Sequence, residues 1–65
     1  MNQVIDVSDY VNLTLEEAIN KAKENKWIYR IIKKDGVKFI VTMDLKLNRL
    51  NFTVDNNIVT DCKIG

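Results

Sequence analysis

The chain contains no histidine, no proline, one serine (Ser8) and one cysteine (Cys62) in 65 residues. Without histidine, neither a Ser-His-Asp triad nor a Cys-His pair can be assembled, and a His/Cys zinc cage is excluded with them. The chain therefore reads as a non-enzyme, with no cofactor and no metal. A single cysteine cannot form an intramolecular disulfide. No apolar run exceeds three residues, as in Phe39-Ile40-Val41, so no segment reads as membrane-spanning. Neither charge dominates: ten basic and nine acidic residues leave +1, which argues against a phosphate-driven nucleic-acid binder. The opening Met1–Asp6 lacks the basic region and apolar core of a secretory signal. With no disulfide, that predicts a cytoplasmic location.

What is present suits one small globular domain spanning 1–65. Hydrophobic residues make up 46% and charged residues 29%, an ordinary balance for a folded soluble chain. At this size folding buries only roughly 60% of the surface the unfolded chain exposes, so the core is small. Asn, Lys and Ile each occur eight times; all three have AT-rich codons, which points to a low-GC bacterial or viral gene.

Residues 1–8 show no clear period and read as a loosely held arm. Thr14-Leu15-Glu16-Glu17 is the strongest local signal: Thr14 as N-cap and Glu17 three residues on form a capping box. Leu15, Ala18, Ile19 and Ala22 then make one apolar helical stripe, with Asn25 as the stop. Trp27–Ile32 is aromatic and β-branched, as in a buried strand. Asp35-Gly36 is a two-residue hairpin turn that would fold Tyr29–Lys34 back on Val37–Val41. From Val37 to Leu47 apolar and polar residues alternate for about twice the length of a typical strand. The phase then flips at Asn48-Arg49, so Leu50–Val54 is a separate strand. Asp55-Asn56-Asn57 turns into a last short strand at about Ile58–Thr60.

Several pieces, in order, resemble the potato inhibitor I family of serine-protease inhibitors. They are Thr14-Leu-Glu-Glu-Ala18, Arg30-Ile-Ile32, Ile40-Val-Thr-Met-Asp44, Asn48-Arg49-Leu50, Phe52-Thr-Val-Asp55, Asn57-Ile58 and Ile64-Gly65. The resemblance implies an α+β fold, one α-helix on a small mixed β-sheet, with a long exposed binding loop between two parallel strands. On that basis Asp35–Asn48 is the loop, which replaces the Asp35-Gly36 hairpin. Thr42 precedes the specificity residue Met43, the reactive bond is Met43–Asp44, and Leu45 lies on the leaving side. Arg49 matches an arginine that braces the loop from below, and Gly65 matches the closing glycine of the same support. A second bracing arginine falls at Asn51, whose side chain is too short to span the same gap. The partner implied is a chymotrypsin- or subtilisin-like serine protease, since Met43 is long and apolar.

A different class of function fits the same scaffold. A non-inhibitory binding module, such as a phage or mobile-element product, would capture a host protein or a signalling nucleotide. The loop with Lys33, Lys34, Lys38, Lys46 and Arg49 would then make the contacts, in a homo-oligomer. Met43, Leu45 and Leu47 also have a plainer reading, as the apolar face of a buried strand.

Overall fold

A computed structural model describes residues 5–65. It contains a 3-10 turn Val7–Tyr10, helix α1 Leu15–Glu24, and strands β1 Ile28–Lys34, β2 Val37–Lys38, β3 Arg49–Asp55 and β4 Ile58–Ile64. The four strands form one sheet in the order β2-β1-β3-β4. β1 runs parallel to β3, while the β1–β2 and β3–β4 pairs are antiparallel. One helix on a mixed sheet is an α+β fold.

α1 begins where the side chains of its first turn can satisfy the free amides. Thr14 Oγ1 accepts from Glu17 N at 3.1 Å and Glu17 Oε1 accepts from Thr14 N at 3.0 Å. Glu16 and Glu17 lie at the positive end of the helix dipole, Lys21 and Lys23 at the negative end. The helix stops at Asn25, whose side-chain amide donates to Lys21 O. Ala18 and Ala22, one turn apart, are wholly buried, and their small side chains let the helix lie close on the sheet.

β3 is central and holds the core. Leu50, Phe52 and Val54 point to one face and are fully buried with Val59 and Cys62 of β4. The Phe52 ring sits between Tyr29 (centroids 5.9 Å apart, 23°) and Tyr10 (6.0 Å, 33°). Tyr10 is delivered by the 3-10 turn, which Asp6 caps by accepting from Ser8 N. The arm expected over residues 1–8 thus falls partly on 1–4, outside the described residues. Beyond it, Val7 packs against the core.

Two turns deserve correction or extension. The Asp35-Gly36 hairpin, set aside in favour of a loop running over 35–48, is present: Lys34 pairs with Val37 and Lys33 with Lys38. Asp35 and Gly36 both take positive φ (50° and 84°), as the mirror-image turn of a tight hairpin requires. Regular pairing then ends, and residues 39–48 contain no strand. The second hairpin uses Asn56 and Asn57, also at positive φ. β4 is longer than the Ile58–Thr60 expected, reaching Ile64. The first part of its outer edge is covered by 12–15: Asn12 N donates to Val59 O at 2.7 Å and Val59 N to Leu13 O at 2.8 Å.

Candidate functional site

Apart from half-buried Val41, the residues between β2 and β3 expose their apolar side chains. Met43 is 98% exposed and Ile40 fully so, with Leu45 and Leu47 close behind. The plainer reading of Met43, Leu45 and Leu47 as the face of a buried strand is therefore excluded. Exposed apolar side chains grouped on one segment form a patch of the kind found at interaction surfaces. Their flanks are not loose.

Arg49 and Asn51 alternate with the core residues of β3, so they point to the opposite face, beneath this segment. Both are only 7% exposed. Arg49 Nε donates to the main-chain oxygen of Gly65 at 2.7 Å. Its Nη2 donates to Asp44 O at 3.0 Å, and Nη1 and Nη2 each reach an Asp44 carboxylate oxygen at 3.4 Å. A planar fork of donors can serve a carboxylate and two carbonyls at once, which a lysine cannot.

Asn51 does not reach the loop, and the gap is spanned from another strand. Arg30 of β1 is its direct partner in the parallel ladder. Arg30 Nε donates to Asn51 Oδ1 at 2.5 Å, and Nη1 donates to Thr42 Oγ1 at 3.1 Å and Thr42 O at 3.3 Å. Asn51 Nδ2 donates to Gly65 O at 3.0 Å and Lys63 O at 3.3 Å. The expectation that Asn51 leaves the loop without a second brace is thus corrected. The second guanidinium comes from Arg30, and Asn51 holds it.

These contacts close on themselves. The Thr42 hydroxyl donates to Asp44 Oδ1. The hydrogen bonds therefore run from Thr42 through Asp44, Arg49, Gly65, Asn51 and Arg30 back to Thr42, with donor and acceptor matched at each step. No side-chain nitrogen or oxygen buried in the described residues is left without a partner. Thr42, Asp44, Arg49, Asn51 and Gly65, singled out in the sequence, are joined in this ring. Met43 and Leu45 project from it. Arg30 was missed as a bracing residue, because nothing in the local sequence relates it to Asn51, 21 residues away.

The ring fixes the charge of Asp44. Its carboxyl is lowered to about 2, first by the Thr42 hydroxyl and then by Arg49. A depressed value means that the carboxylate's contribution is complete above the ordinary 3.8 and is lost as pH falls through about 2. Thr42→Val is expected to move the Asp44 titration up towards the ordinary value, as followed by carboxyl NMR. An unchanged midpoint would remove the Thr42 hydrogen bond from the ring.

Elsewhere the described residues offer no group of His, Cys, Asp and Glu able to hold a metal ion. No helix among them is long and apolar enough to cross a membrane. Of the lysines named for the alternative reading, Lys33 and Lys38 lie together on the β1–β2 hairpin; Lys46 lies in the exposed segment, apart from them. Comparisons with protein-family models, curated proteins and solved structures give no match to this chain.

Proposed function

We propose that the chain inhibits a serine protease in the manner of the potato inhibitor I family, which its sequence resembles. Thr42–Leu45 would lie in the protease cleft as an added strand, and Met43 would fill the primary specificity pocket. The observation that carries this reading is the pairing of a fully exposed Met43 with two neighbours tied to separate strands. Thr42 is held by Arg30 on β1 and Asp44 by Arg49 on β3.

That division of labour bears on why such a segment would resist hydrolysis. Were Met43–Asp44 cut, the new carboxyl end would stay tethered through Thr42 and Arg30. The new amino end would stay tethered through Asp44 and Arg49. The stumps would remain facing each other, so the leaving amine is placed to re-form the bond rather than diffuse away. Because the segment is ordered before binding, little conformational entropy is lost in the complex.

The test is an inhibition assay against chymotrypsin and subtilisin, with mass spectrometry to locate any cut. Micromolar inhibition and slow cleavage confined to Met43–Asp44 are expected. Met43→Lys is expected to transfer inhibition towards trypsin. If neither parent nor variant slows any of the three enzymes, the reading fails. The exposed apolar segment then belongs to a binding module with another protein partner.

A further inference from the structure

The β1–β2 hairpin places like charges across from each other. Lys33 and Lys38 are direct cross-strand partners, an arrangement that lowers stability. A bulge between Ile31 and Lys33 contributes to it. Simple alternation from Tyr29 and Ile31 would send Lys33 towards the helix. The extra residue instead sets Lys33 opposite Thr53, whose neighbours Phe52 and Val54 face the core, and so turns it to the outer face. Bulges that re-aim a side chain are over-represented at sheet edges and next to active sites.

Nothing among the described residues neutralises the two ammoniums, since the ion pairs there are Arg49–Asp44 and Lys63–Asp61. The cross-strand row runs Lys38, Lys33, Thr53, Asp61. Its one carboxylate stands on the far strand, 3.8 Å from Lys63 Nζ. Asp35, in the turn itself, uses Oδ1 to accept from Asn56 N. Lys33, Lys38 and Thr53 line a hollow of about 360 Å³ whose other walls are Ile32, Phe39 and Val41. Phe39 is 46% exposed there, although a tight turn and a hydrogen bond from its amide to Ile32 O hold its backbone.

We propose that this hollow binds a small aromatic phosphate ester, of mononucleotide size. Two lysines and a hydroxyl suit a phosphate dianion as point charges and donor. The apolar walls and the Phe39 ring suit a flat body stacked beside it. The volume is within the range of small-molecule sites. A bare inorganic anion would leave the apolar walls unused. The proposal is independent of the inhibitor reading, because it uses none of Thr42, Met43, Asp44 or Leu45.

The test is an amide NMR titration of the whole chain with adenosine monophosphate. Adenosine, inorganic phosphate and N-acetyl-phosphotyrosine amide serve as separate arms. Saturable shifts confined to Ile32–Lys34, Lys38–Val41 and Thr53 are expected, with a dissociation constant at or below about 1 mM. Adenosine and inorganic phosphate should each bind at least about tenfold more weakly. Tighter binding of the phosphotyrosine amide than of the nucleotide would identify an aryl phosphate as the source, and the reverse order a nucleotide. Lys38→Glu supplies a variant whose fold is expected to be kept. It sets opposite charges across the hairpin, so its thermal midpoint should rise while nucleotide affinity falls at least about tenfold. No saturable shift at about 10 mM nucleotide, equal affinity in Lys38→Glu, or inorganic phosphate binding as tightly (an adventitious ion only) would each overturn the proposal.

Discussion

If Thr42–Leu45 is a protease-binding segment as proposed, Arg30→Ala is expected to leave helix and sheet folded while speeding cleavage at Met43–Asp44. Arg30 supplies three hydrogen bonds, one to Asn51 and two to Thr42. A hydrogen bond to a charged group contributes about 1.5–3 kcal/mol. Loss of one such bond from the held segment, relative to its loosened form, corresponds to roughly ten- to hundredfold in cleavage rate or inhibition. Arg30→Lys should rescue little, since an ammonium cannot reach Asn51 and Thr42 together. The same geometry reverses what family likeness suggests for position 51. Asn51→Arg would remove the acceptor that holds Arg30 and set a second guanidinium directly beside it, so it should loosen the segment. Cleavage kinetics and amide exchange over 39–48 in these variants are the measurement. Equal rates in parent and Arg30→Ala would take Arg30 out of the brace.

The largest loss of stability is expected from Phe52→Ala. Phe52 is fully buried, with the Tyr10 and Tyr29 rings on either side. Truncating a buried phenylalanine removes about 3–5 kcal/mol, because the cavity only partly collapses. At roughly 0.05–0.15 kcal/mol per residue, a domain of this size has only about 3–10 kcal/mol in total. The variant should therefore lose from about a third to all of its stability. Urea unfolding followed by circular dichroism would show it, and a parent-like midpoint would mean that the three rings do not hold the core.

Those two positions differ in how far the sequence discloses them. Phe52 is legible, since Leu50, Phe52 and Val54 alternate and the phase flip at Asn48-Arg49 separates them from the preceding run. α1 is legible for a similar reason: the capping pair Thr14–Glu17 and the apolar stripe are both local. Arg30 is not, because its role depends on a parallel register that joins it to Asn51, and register is a property of two strands. The full length of β4 is hidden by a register shift between Thr53 and Val54. Through it Val59 and Cys62, three apart in sequence, share the core face and break the two-residue period. The Asp35-Gly36 hairpin was legible on turn chemistry alone. The likeness to a longer loop conflicts with it, and the positive φ of Asp35 and Gly36 decides for the turn.

Cys62 gives the molecule an internal clock. It is the one thiol in the chain, 3% exposed beneath the β-sheet core, and burial pushes its pKa up to about 11. In the closed state it is therefore both shielded and protonated, and a thiol reagent finds no nucleophile. Labelling must wait for β4 to leave β3, which separates Cys62 from its register partner Phe52. When modification outpaces reclosing, the rate at which reagent is consumed counts openings of the β3–β4 pair. Any change that weakens the aromatic core would quicken that count. A change confined to the exposed segment would leave it alone, so one sulfur tells damage to the scaffold from damage to what the scaffold presents.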